Sequence, residues 1–256
     1  MQLTVAILAR DNEAEIADCL DSVSWADERY VILDTRSRDQ TEAIARKAGA
    51  RVDWHDFANF ASQRDFALEN AQQEWLFFLD SDERATPELA SEIRQVIAGE
   101  SAHVGWWVPR YNSIWGAVMK HGGWYPDYQL RLIKCGHGHY DPTRQVHEVV
   151  MLDGSEGYLE QPLIHYNYTT LGQFIRKQRQ YVALEADIRY SQGIRPKPWT
   201  FLSLPLREFH RRYIKLQGYR DGWRGLILCA LVAYYYGFMV TVLLARRITK
   251  RIDNNA

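Results

Sequence analysis

Cysteine is scarce in this sequence: three in 256 residues, Cys19, Cys135 and Cys229, with no CxxC pair. An odd, widely spaced set supports neither a disulfide framework nor a zinc site, and it suits a reducing compartment. Net charge is scarce as well. Lys and Arg number 31 against 32 Asp and Glu, leaving a formal charge of −1. Electrostatics of that size predicts no nucleic-acid partner. The N-terminus lacks a basic segment leading into an apolar one, so no signal peptide is expected. A glycine-rich GxG loop is missing after the first apolar run, where RDNEAE (10–15) stands instead. That absence argues against a sugar nucleotidyltransferase.

The rest of the composition is that of a globular protein, with 46% hydrophobic and 25% charged residues. The length fits one large domain, or one domain with an appendage. Nine Trp and 15 Tyr suit a sugar site or a membrane interface, although most such rings fill cores.

The first hundred residues alternate strand and helix patterns. Strands are expected at LTVAIL (3–8), RYVILD (29–34), ARVDW (50–54) and WLFFLD (75–80). The last is apolar without interruption, as a strand buried on both faces should be. Helices are expected from Glu13 to about Val23, with Ile16, Cys19, Leu20 and Val23 on one face, and over 39–48 and 61–71. Thr86-Pro87-Glu88 opens another, with Thr as N-cap and Pro in the first turn. The rhythm predicts an α/β fold, a Rossmann-like, mostly parallel sheet with helices on both faces. From 104 to 168 the pattern is strand-rich and irregular. From 170 it is helical, with one amphipathic helix over 170–192 ending at Gly193, then Pro196 and Pro198.

An open parallel sheet binds ligands at the carboxyl ends of its strands. Three of these ends are acidic here: Arg10-Asp11-Asn12-Glu13, Asp34 to Asp39, and Asp80-Ser81-Asp82-Glu83. In extended chain, Asp80 and Asp82 would point to the same side. Two carboxylates so placed can hold Mg²⁺ or Mn²⁺ and leave room for phosphate oxygens. The plainer alternative is an acidic turn capping the next helix. For Asp34 the choice is between an Asx-turn and hydrogen bonds to a nucleoside.

Taken in order, Asn12-Glu13, the D-x-x-S-x-D of 34–39 and the DSD of 80–82 resemble family 2 glycosyltransferases of GT-A fold. WADE (25–28), FASQRDFAL (60–68), DSDER (80–84), HGGWYPD (121–127), RLI (131–133), VHE (146–148) and HYNY (165–168) narrow the resemblance. They are similar to bacterial enzymes that add a hexose to the lipopolysaccharide inner core. The similarity covers about residues 1–190. It implies inverting transfer from a UDP-sugar with a divalent cation, Mg or Mn. Glu13 and Asp34 would contact the nucleoside, Asp80 the ribose and metal, and Asp82 the metal. The family usually has glycines where Arg36 and Gln40 stand, so Arg36 becomes a further donor contact.

The paired glycines Gly122 and Gly123 would let backbone approach a ligand closely, and Trp124 offers a ring for a sugar face. With His147 they form the expected acceptor site. An inverting transfer needs a carboxylate to take the acceptor proton. Asp127 and Glu148 are the candidates, and the resemblance favours Glu148. His165 looks like the late histidine that GT-A enzymes often set against metal or diphosphate. Arg131, Arg144, Arg176, Lys177 and Arg179 are scattered basics that could neutralise diphosphate or an anionic acceptor.

Residues 225–245 carry no charge, enough to span a bilayer. Both flanks are basic, however, with Arg207, Arg211, Arg212, Lys215, Arg220 and Arg224 before and Arg246, Arg247, Lys250 and Arg251 after. Tyr234, Tyr235 and Tyr236 fall at mid-segment. A single crossing would violate the positive-inside tendency. The expectation is therefore a helical region lying in or dipping into the cytoplasmic leaflet, on anionic lipid, with a true span or a buried packing helix of a soluble protein as the alternatives. The expected domains are 1–168 (nucleotide-sugar half 1–100, acceptor half 101–168) and a membrane-associating region, 169–256. The implied partners are a UDP-sugar, a lipid-linked or lipopolysaccharide acceptor and cytoplasmic-side lipids. The implied place is the cytoplasmic face of a bacterial inner membrane, peripheral or monotopic. A polyprenyl-phosphate sugar synthase is the alternative, but such enzymes usually lack the HGGWYPD and VHE segments.

Overall fold

The structure, a computed structural model, describes residues 1–99, 101–140 and 150–253, with side chains as far as residue 245. The chain begins with β1 (Leu3–Ala9), α1 (Ile16–Asp21), β2 (Glu28–Asp34), α2 (Thr41–Lys47), β3 (Arg51–His55), α3 (Phe60–Asn70) and β4 (Trp75–Asp80). A two-residue β5 (Glu83–Arg84) and α4 (Pro87–Ala98) follow. Next come β6 (His103–Ile114), β7 (Ala117–Met119), β8 (Asp127–Lys134), β9 (Gly138–Tyr140), β10 (Val150–Leu152), β11 (Ser155–Tyr158) and β12 (Leu163–Tyr168). The chain closes with α5 (Leu171–Ser191), α6 (Thr200–Phe209) and α7 (Gly222–Asp253).

The main sheet runs β3-β2-β1-β4-β8-β6-β12-β5. The first four strands are parallel. β8 then pairs antiparallel with both β4 and β6, and β12 antiparallel with β5. Period-2 alternation splits the parallel strands between two cores. Leu3, Val5, Ile7 and Phe77 pack with Ile16, Cys19 and Leu20 of α1 and Leu89, Ile93 and Ile97 of α4. Ala6, Tyr30, Ile32, Leu76 and Phe78 pack on the other side with Ala61 and Ala67 of α3 and with Tyr140 and Val150. Phe77 and Phe78 are fully buried, one in each core. Burial of each contributes about 1.5–3 kcal/mol. This double demand explains why WLFFLD has no polar residue before its last position.

Local signals set the helix starts. The Asn59 side chain accepts from Ser62 N at the start of α3, and Thr86 does the same from Leu89 N at α4, with Pro87 in the first turn. Each cap satisfies one of the free N–H groups of a first turn.

The chain divides into two compact units, Met1–Tyr111 with Asp127–Tyr166, and Asn112–Pro126 with Asn167–Ala256. The second has its own core. Phe174, Val182 and Ala186 of α5 meet Leu228, Val232, Tyr235, Met239 and Leu243 of α7, with Ile114, Met119 and Tyr168. The α7 positions recur every three or four residues, as one face of a helix requires. Thr170 and Gln173 form a reciprocal capping box at the start of α5. A Cβ on Gly237 would lie 2.9 Å from Pro205 Cγ, so the glycine lets α6 come close to α7.

Gly218–Ala245 is long and apolar enough to cross a membrane, and half of its most apolar window is buried. Other apolar groups of this unit face outward. Trp199, Phe201, Leu202 and Leu206, at and along α6, are exposed, as are Trp223, Leu226, Tyr234 and Phe238 of α7. Several basic residues before the uncharged stretch are held within the unit. Arg212 donates to Gly122 O at 2.8 Å, Arg224 to Trp115 O at 3.3 Å, and Arg211 pairs with Glu208 at 2.8 Å.

Candidate active site

The loops after β1 and β2 are stapled to each other by acidic side chains. Asp11 Oδ1 accepts from Arg38 N at 2.8 Å. Glu13 Oε2 accepts from Gln40 N at 3.0 Å, and Glu13 N donates to Asp39 Oδ2 at 2.8 Å. Asn12 N donates to Thr41 Oγ1 at 2.8 Å. Asp11 adopts a left-handed φ of 50°, a conformation Asp tolerates better than most residues.

Asp34 ends β2 and is 4% exposed. It makes the Asx-type contact, accepting from Arg36 N at 2.9 Å. It also takes the Arg36 guanidinium, with Nη2 at 2.6 Å from Oδ2. The hydrogen bonds from Arg36 hold the Asp34 carboxyl below the usual carboxylate range. Arg36 thus occupies the carboxylate expected to meet the nucleoside. The same guanidinium lies 5.1 Å over the Phe57 ring.

The third strand end is a charged network. β4 stops at Asp80 and the chain turns through Ser81 and Asp82 rather than staying extended. The two carboxylates therefore take different partners. Asp80 Oδ2 accepts from Arg131 Nη2 at 2.6 Å, and Asp80 Oδ1 lies 3.7 Å from Arg64 Nη2. Asp82 Oδ2 lies 3.5 Å from His165 Nε2. The β12–β5 pairing, which sets His165 opposite Glu83, brings that histidine to the turn.

Glu83, fully buried, ties the network together. It accepts from Asp80 N at 2.9 Å, from Arg131 Nη2 at 2.8 Å and from Arg110 Nη1 at 3.1 Å. Burial pushes the Glu83 carboxyl up, against the pull of Arg131. For Asp80 burial acts the same way, but the charge and hydrogen bond of Arg131 more than reverse it and hold the group low. Arg131 is 4% exposed, and its Nε and Nη1 are buried with no hydrogen-bond partner among the described residues. On the opposite side of β4, the Cys19 thiol lies 3.6 Å from Asp80 O.

Asp127 heads β8 and faces Arg110 across the ladder. Its Oδ2 accepts from Arg110 Nε and Nη2 at 3.0 and 2.7 Å, and its Oδ1 from Gln129 at 3.1 Å. Both oxygens are engaged, which disfavours Asp127 as a proton acceptor. Glu148 and His147, along with Arg144, lie outside the described residues.

Gly122, Gly123 and Trp124 belong to the second unit. Both glycines have positive φ, 66° and 81°. The close approach they permit is to the chain itself. A Cβ on Gly122 would meet Cys229 Sγ and Gly218 Cα, and one on Gly123 would lie 3.1 Å from Leu216 and 3.2 Å from Arg212. Gly122 N also donates to Leu216 O at 2.8 Å. His121, beside them, is fixed by Asp221 at 2.9 Å. Trp124 is half-buried against the second core, and its carbonyl accepts from Asn112.

Among the described residues, no group of three or more His, Cys, Asp or Glu is placed to hold a metal ion alone. Asp82 and His165 still make a workable donor pair. Mg²⁺ and Mn²⁺ in such sites use one or two protein ligands and complete the shell with substrate phosphates and water. Sequence reasoning read Glu83 only as part of the acidic strand end and missed Arg110 altogether. A signal exists for the strand that Arg110 pairs with: on β8, Asp127, Gln129 and Arg131 alternate with Tyr128, Leu130 and Leu132, a polar face opposite an apolar one.

A model of the family described as glycosyl transferase family 2 matches residues 4–155. The lipopolysaccharide core biosynthesis glycosyltransferase LpsC of Rhizobium meliloti is 30% identical over 253 residues, 96% of this chain and 93% of the relative. Among solved structures, the mannosyltransferase PcManGT of Pyrobaculum calidifontis, in complex with GDP-Man and Mn²⁺, aligns at TM-score 0.52 and 13% identity. That alignment covers 98% of this chain and 87% of the other. S. aureus TarS 1-349 aligns at TM-score 0.50 and 15% identity, over 97% and 92% of the two chains. At such identities the two structures speak for the fold alone.

Proposed function

Since the chain belongs to glycosyl transferase family 2 and has the GT-A fold, we propose that it is an inverting, metal-dependent hexosyltransferase using a UDP-sugar. The acceptor is the lipopolysaccharide core, in keeping with the name of its relative from Rhizobium meliloti. The observation that carries the reading is the pairing of Asp82 with His165, 3.5 Å apart at the end of β4. A carboxylate and an imidazole held at a strand end, beside a buried Arg–carboxylate network, form a preset site for a cation and a diphosphate.

Asp82 and His165 would hold the cation, with Asp80 Oδ1, the oxygen not used by Arg131, toward the ribose and metal. The bound cation would offset the negative charge gathering on the leaving diphosphate. Asp34 and Glu13 hold the nucleoside, and Arg36 must release or share Asp34 as the donor enters. The acceptor oxygen attacks the anomeric carbon from the face opposite the diphosphate. The old C–O bond breaks with its electron pair going to UDP, and the acceptor hydroxyl proton passes to Glu148. Glu148 is preferred to Asp127 because both oxygens of Asp127 are already engaged. Gly122, Gly123, Trp124 and His147 remain the proposed acceptor contacts.

Catalysis is assigned to residues 1–168 and membrane association to 169–256. The outward apolar groups of α6 and α7 would enter the cytoplasmic leaflet, with Lys and Arg on anionic headgroups.

The test is UDP release from a panel of UDP-sugars with Mn²⁺ and purified truncated lipopolysaccharides. Release that needs both metal and core acceptor is expected. Transfer to polyprenyl phosphate instead would favour the alternative synthase. Glu148→Gln should lose about 10²–10⁴ in turnover while keeping UDP binding. An active Glu148→Gln beside a dead Asp127→Asn would reverse the base assignment.

A further inference from the structure

A cavity of about 90 Å³ opens beside the charged network, its wall including Arg64, Trp107, Gln129, Arg131, Tyr140 and Val150. That is room for several waters or one small oxyanion. Among the described residues its polar wall groups are donors: two guanidiniums, an amide, a phenol and an indole. Carboxylates behind the wall take part of this capacity, Asp127 from Gln129, Glu156 from Trp107, and Asp80 and Glu83 from Arg131. Arg131 is the informative member. One nitrogen, Nη2, serves both Asp80 and Glu83, while Nε and Nη1 are buried without a hydrogen-bond partner among the described residues. A buried guanidinium with unmade bonds calls for an explanation such as a bound ion. Arg64 adds a second positive charge, 3.7 Å from the other oxygen of Asp80.

The position in the sheet indicates which substrate the cavity serves. The proposed nucleoside contacts lie at the ends of β1 and β2, on one side of β4. The cavity is lined mainly from the other side, by Trp107 of β6 and Gln129 to Arg131 of β8 with Tyr140 and Val150 beyond them, and Arg64 of α3 closes it. Arg131 joins the two, since it touches Asp80, two residues before Asp82.

We propose that this cavity binds an oxyanion substituent of the acceptor, a phosphate or carboxylate on its sugar chain, and so selects charged acceptors over neutral ones. The proposal rests on the glycosyltransferase reading above. Charge complementarity supplies the affinity, and the guanidinium geometry suits oxyanions.

The experiment titrates inorganic phosphate into the full chain by calorimetry, with and without saturating UDP. Phosphate should bind in both cases, and Arg131→Lys should weaken it at least tenfold, since lysine keeps the charge facing Asp80 and Glu83 but lacks the extra donors. Because Arg131 is buried and its variant risks misfolding, Gln129→Glu provides a second route. It sets a carboxylate on the half-buried wall, and it should weaken phosphate at least tenfold with UDP affinity unchanged. Displacement of phosphate by UDP would assign the anion to the donor diphosphate and overturn the proposal. So would no binding, or wild-type affinity in Gln129→Glu.

Matched acceptors with and without their phosphate complete the test. The wild type should show at least a tenfold higher KM for the neutral one, and Gln129→Glu should narrow that gap. Equal KM values in the wild type would also overturn the proposal. Failure to bind UDP at all, with phosphate still bound, would defeat the UDP-sugar donor of the reading above and leave the anion site standing apart from it.

Discussion

The strand-end region of the first unit and the helical surface of the second violate opposite rules of burial. In the first, charged groups go inside: Glu83 is fully buried, and Arg131 and Asp34 are each 4% exposed. In the second, apolar groups stay outside: Trp199, Leu202 and Leu206 are each more than 60% exposed. Buried charges persist when they answer one another, and exposed apolar groups persist when something else covers them. The first region is thus complete in its own pairs apart from Arg131, whereas the second leaves apolar side chains to solvent, as a surface that meets a partner would.

The largest expected effect separates chemistry from stability at the strand end. Asp82→Ala should lower transfer at least about 10³-fold, since a cation opposite the diphosphate contributes several kcal/mol. Asp82 sits in a turn and is about one-third exposed. Its loss should leave the thermal midpoint nearly unchanged, and full activity in this variant or in excess chelator would end the metal-dependent reading. Arg131→Met strikes the pairs instead. It leaves the fully buried Glu83, and the one-third exposed Asp80, without their shared partner, at a cost of about 3–5 kcal/mol in urea unfolding. A change under about 1 kcal/mol would mean the network is not what holds the turn.

A smaller effect is expected on the other side of the comparison. Leu202→Ser with Leu206→Ser should lower partition into anionic vesicles at least about tenfold, because each leucine loses part of its transfer energy. The urea midpoint should not fall, as neither side chain is buried in the chain itself. A fall in stability with unchanged vesicle binding would show that α6 packs against protein.

The smallest effect concerns Asp34. Its folded carboxyl lies below its unfolded value of about 3.9, so its contribution to stability is present above that pH and lost as pH falls through the folded value. Arg36→Ala should let the carboxyl rise toward the ordinary range in an NMR titration. The stability difference from wild type should then vanish in strong acid. A carboxyl that stays low in the variant would shift the credit to Arg10, 3.9 Å away.

Much of the first hundred residues was legible because their signals are local. The apolar run ending at Asp80, the caps at Asn59 and Thr86 and the acidic strand ends are all short-range patterns. Residues 104–168 read only as strand-rich, because their partners are chosen by distant contacts: β8 joins β4, and β11 pairs parallel with β6. The same reason hid the network. Nothing near Arg131 in sequence points to Asp80, 51 residues away. The Gly122–Gly123 pair shows the reverse case. Its backbone freedom was visible, but its neighbour, the Leu216–Gly218 segment, was not.

The buried thiol beside Asp80 has a practical consequence. Burial pushes Cys19 up to about 12 and Cys135 up to about 11, and it raises Cys229 as well. Maleimides and related reagents attack the thiolate, which for the first two is roughly one part in 10,000 or less at neutral pH. The native thiols are therefore expected to react slowly with such probes. A cysteine introduced by Asn254→Cys would then be the main label. Membrane-impermeant reagent added to intact cells would then report the side of the membrane on which the C-terminus lies, with no native cysteine removed.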